Sequence, residues 1–158
     1  MTTLIRLAGV EDVPALHAGL SALSADLGDP WLSTHDDLRD AGFGARPSFA
    51  AVLAEGPDGL MGCAIFSPIY STMRAAPGLF VSDLWAAPAA RGTGMGPRLL
   101  AAAAAHAGDL WGARWLKLSV HKTNPRARTF YDRLGFVPDA GLDTLVLEAD
   151  AFNALGDT

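Results

Sequence analysis

Leu79-Phe80-Val81-Ser82-Asp83-Leu84-Trp85-Ala86-Ala87-Pro88, then Arg91-Gly92-Thr93-Gly94-Met95-Gly96-Pro97-Arg98-Leu99-Leu100 and five alanines, is the stretch whose reading decides the fold. Its first part is apolar and rich in aromatic and β-branched residues, which reads as a strand. Pro88 has no N–H to give a ladder and ends it. The second part is a strong helix former with Pro97 near its first turn. Strand, glycine loop and helix start, in that order, make an anion cradle: free backbone N–H groups and the positive end of the helix dipole converge where glycine permits close approach. The reading is a pyrophosphate site. It is not the Gly-x-Gly-x-x-Gly loop of a dinucleotide fold, and no Gly-Lys-Ser/Thr follows to make a P-loop.

Working outward, Thr3 to Ala8 reads as a first strand, and Glu11-Asp12 open a helix running to about Ala25. Its apolar positions Val13, Leu16, Leu20 and Leu23 recur at helical spacing. Thr34, with Asp37 three residues on, reads as a capping box for a short helix through Asp40. Ser48–Glu55 and Leu60–Phe66 read as a hairpin about Gly56-Pro57-Asp58-Gly59, and Ser67 to Gly78, with Pro68 and Pro77, reads as a loop. After the central strand, loop and helix comes a strand at Trp115–Val120. Asn124 is an N-cap with Pro125 at the first helical position, and that helix runs to Leu134. Leu142 to Glu148 reads as a final strand, with fraying ends from Asn153. The predicted order is β-α-α-β-β-β-α-β-α-β, one mixed α/β domain spanning residues 1–158.

Composition bounds the function. Half of the 158 residues are hydrophobic, enough for a core. The longest apolar run, near Leu99–Ala105, is far short of the roughly 20 residues of a membrane span, and the N-terminus lacks the plan of a signal peptide. A single cysteine, Cys63, fits a reducing cytoplasm, and the four histidines show no metal-ligand spacing, so no metal is expected. The net charge of −5 argues against a nucleic-acid partner. The chain is nevertheless polarised. Five aspartates lie between Asp26 and Asp40 with one arginine, whereas Arg91 to Arg133 holds eight basic residues and two acids. One segment suits a polyanion, the other a cation.

Arg91-x-x-Gly94-x-Gly96 resembles the acetyl-CoA signature of the GNAT N-acetyltransferases, and Asn124-Pro125-x-Ala127-x-x-Phe130-Tyr131-x-x-Leu134-Gly135-Phe136 completes that resemblance. It implies a mostly antiparallel sheet flanked by helices, with acetyl-CoA held at Arg91, Gly92, Thr93, Gly94, Met95, Gly96 and Pro97. The strand residues Leu84, Trp85 and Ala86 would meet the pantetheine arm, and Asn124, Ala127 and Tyr131 would lie beside the CoA chain. The family places a general acid at the position of Tyr131. The chemistry agrees, because a departing thiolate needs a proton and a phenol near pKa 10 carries one at neutral pH. The attacking amine must be neutral, and Asp83 is the best-placed carboxylate to make it so, with His121 or a water chain as alternatives. Amine and thioester held together need no covalent enzyme intermediate.

A narrower resemblance is to the diamine (spermidine/spermine) and thialysine acetyltransferases, carried by Asp37-Leu38-x-x-Ala41-Gly42-Phe43-Gly44-x-x-Pro47. It implies a small cationic amine substrate and a homodimer, with Asp26, Ser82, Asp83 and His121 on the substrate side. Those enzymes carry Glu-Asp where this chain has Ser82-Asp83. Two other readings stand beside this one: a protein or peptide N-acetyltransferase, and a non-catalytic acyl-CoA-binding module.

Overall fold

A computed structural model describes residues 2–157, which divide into two compact units, one up to His121 and one from Lys122. The first unit is built on a five-stranded sheet of order β1-β2-β3-β4-β5: β1 Leu4–Leu7, β2 Ala50–Gly56, β3 Gly59–Ser71, β4 Ala76–Ala86 and β5 Leu116–Leu118. The first three pairings are antiparallel and β4–β5 is parallel. Three helices belong to this unit: α1 Val13–Leu27, α2 His35–Phe43 and α3 Met95–Trp111. The parallel pair needs a crossover, and α3 supplies it.

Alternation along the strands sorts the core. Cross-strand partners share a face, so Leu53, Cys63 and Trp85 form one row and Ala51, Ile65 and Asp83 the next. Leu53, Cys63, Ala51 and Ile65 pack with Val13, Leu16 and Leu20 of α1 and Leu38 of α2. The remaining positions meet α3. A Cβ on Gly62 would stand 2.8 Å from Leu99 Cδ1 and 2.7 Å from the Trp85 carbonyl, and Phe66 meets Trp111 edge-on. The alanine run earns its place here, since fully buried Ala103 and Ala107 let the helix lie close to the sheet.

The entry to α1 is fixed by charge. Arg6 donates two hydrogen bonds to Asp12, at 2.7 and 2.8 Å, and a third to Glu55 at 3.0 Å, while the Gly9 amide donates to Asp12 at 2.7 Å. Those Arg6 bonds hold the Asp12 carboxyl below the usual carboxylate range. The Thr34–Asp37 capping box forms as the sequence predicts, with both reciprocal bonds present.

Three expectations need correction. Ser67 to Gly78 is not a loop: β3 runs on to Ser71, β4 begins at Ala76, and only Thr72 to Ala75 turn. Proline is tolerated because Pro68 lies beyond the end of β2, whose ladder stops at the Ala50–Phe66 pair. Pro77 likewise precedes the β5 ladder, which starts at Leu79. Pro68 therefore faces an edge where no donor is required, and Pro77 faces the chain entering β5 as an acceptor, its carbonyl taking the Arg114 amide at 2.9 Å. Leu142 to Glu148 forms no strand. Leu142, Leu145 and Val146 are exposed, so the branched side chains lack the packed face that makes strand propensity effective. A further helix, α5 Ala149–Ala154, follows instead of a fraying end.

The second unit contains α4 Pro125–Arg133 and α5. The Asn124 side chain accepts from the Ala127 amide at 3.1 Å, so the expected cap is made.

Candidate active site

The glycine loop leaves β4 through a single helical turn at Pro88–Ala90, whose Ala90 is fully buried and anchors it. Thr93 closes back on that turn, its hydroxyl donating to the Ala90 carbonyl at 2.7 Å. Gly92 and Gly94 have φ of +75° and +82°, the left-handed region that glycine alone enters without strain. Gly94 is the N-cap of α3, and no side chain caps that helix start. Its first-turn N–H groups are thus not spent on a side chain, and residues 91–94 are exposed while Met95 anchors the helix in the core. The dipole favours negative charge here, and Gly92 and Gly94 leave open space in which an anion can approach the backbone.

Arg91 is held on both sides. Its Nε donates to the Ala86 carbonyl at the end of β4, at 3.0 Å, and one terminal nitrogen meets Asp26 at 2.6 Å. Asp29 meets His121 Nε2 at 3.2 Å. Asp36 pairs with Arg39, and Asp37 serves the Thr34 cap. Four of the five aspartates in the acidic segment therefore have partners within the first unit.

Asp83 lies on the α1/α2 face of β4, opposite Ile65, and is partly buried. Burial raises its carboxyl above the usual range, and a bond from Ser82 offsets part of that. A carboxylate pushed toward neutrality is a better proton acceptor, which is the property a general base requires. Ser82 is exposed, and Leu84, Trp85 and Ala86 are half-buried. The Trp85 indole N–H is buried with no acceptor among the described residues.

In the second unit Tyr131 is half-buried, set edge-on between Phe130 and Phe136 at ring separations of 5.0 and 5.5 Å. Burial raises its phenol, so the group carries its proton at neutral pH. Ala127 belongs to the same helix, its amide taken by the Asn124 cap.

The family model described as Acetyltransferase (GNAT) family matches residues 16–136. The chain belongs to that family. Bacillus subtilis "Uncharacterized N-acetyltransferase YhfO" is 33% identical over 90 residues, which is 57% of this GNAT chain and 60% of that relative. The match thus spans less than two thirds of the relative's length. Among solved structures, an integron cassette protein from the mobile metagenome of V. cholerae aligns with a TM-score of 0.80 at 19% identity, covering 100% of this chain and 99% of that one. The ribosomal-protein-alanine N-acetyltransferase of Brucella melitensis aligns with 0.72 at 18% identity, covering 94% and 100%. A soil-metagenome aminoglycoside acetyltransferase aligns with 0.72 at 15% identity, covering 93% and 95%. These alignments establish a shared GNAT fold.

Within this GNAT chain, the Asp37-to-Pro47 motif has a structural account. Asp37 closes the capping box, Leu38 is buried, and a Cβ on Gly42 would stand 2.6 Å from the Phe49 ring. Such packing needs hold whatever the substrate, so the motif by itself does not select an amine. No local signal in the sequence marks an aromatic cluster at the α1–α2 connection. Trp31 Nε1 donates to His17 Nε2 at 3.2 Å, and the His17 and His35 rings lie 4.3 Å apart. These residues are 14 and 18 positions apart and match no motif. No group of three or more metal-ligating side chains occurs among the described residues, and no described helix is long and apolar enough to cross a membrane.

Proposed function

We propose that the protein transfers an acetyl group from acetyl-CoA to a primary amine of a small cationic substrate. The observation that carries this is the exposed, uncapped start of α3 behind two left-handed glycines, in a chain of the GNAT family. The pyrophosphate would take backbone N–H groups between Gly92 and Gly96 other than that of Thr93, which donates to the Ala90 carbonyl at 3.4 Å. The β4 end from Leu84 to Ala86 would take the pantetheine arm. Pro97 in the first turn of α3 and Asn124 at the cap of α4 would lie beside the coenzyme. The amine nitrogen bonds to the acetyl carbon as the carbon–sulfur bond breaks. The amine proton passes to Asp83, directly or through water, with His121 as the alternative acceptor, and the departing sulfur takes a proton from Tyr131. The resemblance supports the Tyr131 role, and the raised phenol suits a donor.

The family-model match runs through both units, which supports treating the chain as one acetyltransferase domain. The polyamine or thialysine reading rests on the Asp37–Pro47 resemblance and on the acidic segment. The packing account of the first, and the partners of Asp26 and Asp29, reduce what those features say about substrate. A homodimer in a reducing cytoplasm is the accompanying expectation, checked by light scattering.

The test is thiol release from acetyl-CoA across spermidine, putrescine, thialysine, an aminoglycoside and an alanine-ended peptide. Cys63 is fully buried and its thiol is pushed up to about 12, so the protein contributes little background. Release with a small amine supports the proposal, and release with the peptide alone replaces it with a protein N-acetyltransferase. Acetyl-CoA binding without release on any amine leaves the acyl-CoA-binding module.

A further inference from the structure

Arg91 is the most conspicuous cation of the glycine loop, and its side chain is committed within the protein. It reaches back to the Ala86 carbonyl and across to Asp26, in the last turn of α1, 65 residues away in sequence. Both partners of the ion pair are about half exposed. Two of the five guanidinium N–H donors are thus used on a strand end and a helix end. The left-handed glycines begin directly after Arg91, so both contacts bear on the start of the loop. Such a fork fixes a loop better than a lysine would, because its donors are coplanar and rigidly spaced.

We infer that Asp26 is a positioning residue for the coenzyme site: it holds Arg91, and through Arg91 the phosphate loop, and it is not a ligand of the acceptor amine. This rests on the reading of Arg91 to Gly96 as the acetyl-CoA loop. It gives the α1 end, outside the glycine signature, a share in coenzyme affinity. Three residues later Asp29 meets His121, so the end of α1 and the start of the α1–α2 connection are tied to the chain just after β4 and just after β5.

The experiment is calorimetric titration of the full chain with acetyl-CoA, which needs no knowledge of the acceptor. Asp26→Asn is expected to weaken binding by about two- to fivefold, the scale of a half-exposed ion pair. Asp26→Glu should recover most of the loss. Arg91→Gln should weaken binding at least as much, and the double variant should bind no worse than Arg91→Gln alone, because the second change removes nothing further. Thermal unfolding of each variant separates a loosened loop from a lost fold. Unchanged affinity in Asp26→Asn with weakened Arg91→Gln would overturn the positioning role and leave the coenzyme reading standing. Tighter binding in Asp26→Asn would overturn it too, by making Asp26 a competitor of the phosphate. Equal affinity in wild type and Arg91→Gln would overturn the role of Arg91 in the coenzyme site itself.

Discussion

Gly94→Ala isolates the backbone geometry of the phosphate loop from every other contribution. Gly94 sits at φ +82°, and a Cβ built there meets nothing within 4 Å. The substitution therefore adds no clash, and its cost is the left-handed backbone alone, about 1–2 kcal/mol for a residue with a Cβ. That cost can surface in two places. If the loop keeps its shape, the fold loses it, and at about 2–4 °C per kcal/mol for a chain of this size the melting temperature falls by roughly 2–8 °C. If the loop relaxes, the N–H groups lose alignment and acetyl-CoA affinity falls by about 5- to 30-fold. Gly92→Ala, at φ +75° with the same open surroundings, should behave alike. Gly108→Ala is the control. It lies inside α3, its nearest Cβ neighbour is 3.9 Å away, and alanine is favoured there by up to about 1 kcal/mol. Calorimetric titration and thermal unfolding on the same samples read both terms. A Gly94→Ala protein that melts and binds as wild type would refute the claim that left-handed glycines shape the loop.

Three further outcomes are expected. Tyr131→Phe should bind acetyl-CoA nearly as wild type and turn over at least about 100-fold more slowly, measured by steady-state thiol release; unchanged turnover would make Tyr131 a packing residue. Asp83 has a raised carboxyl, so the folded state binds that proton more tightly than the unfolded chain does. Stability then declines as pH rises from the ordinary carboxylate range through the raised value. Asp83→Asn should melt higher than wild type at neutral pH and lose turnover, and a lower melting temperature there would contradict the assignment. Asp12 is the opposite case. Its carboxyl is lowered, so its stabilisation is complete above the unfolded value and is lost as pH falls through the folded one. Asp12→Asn should cost about 2 kcal/mol at pH 7, between an exposed and a buried pair because Arg6 is a third exposed. Urea titrations at pH 7 and in acid would show that difference shrinking in acid.

What could be read from the sequence was local. The Thr34–Asp37 box, the Asn124 cap, the Gly56–Gly59 turn and the strand-loop-helix at Arg91–Gly96 are each set by residues a few positions apart. The misreadings share a cause of the other kind. Leu142–Glu148 has strand composition, but a strand needs a neighbour, and composition does not supply one. Pro68 and Pro77 read as breakers because proline forbids a ladder bond; whether a bond is needed at that place depends on where β2 and β5 stop. The site divides in the same way. The glycine loop was legible, whereas the Asp26–Arg91 and Asp29–His121 contacts join residues 65 and 92 positions apart and follow from no spacing rule. The acidic segment consequently read as a free cation-binding face, although most of its carboxylates are already engaged.

The outer half of the β3–β4 hairpin bears on how the protein behaves at high concentration. Beyond Phe66 the hairpin projects past β2, and its tip carries exposed Tyr70 and Met73. The β3 margin that this leaves uncovered is a template on which another chain can add a strand and begin a fibre. Pro68 lies on the margin that β2 leaves uncovered and withholds a donor there, which interrupts the continuous row of amides that an incoming strand would zip onto. On the other arm the Arg114 amide bonds the Pro77 carbonyl at 2.9 Å. One of the two residues that disguise the hairpin as a loop therefore also guards its uncovered edge against self-association.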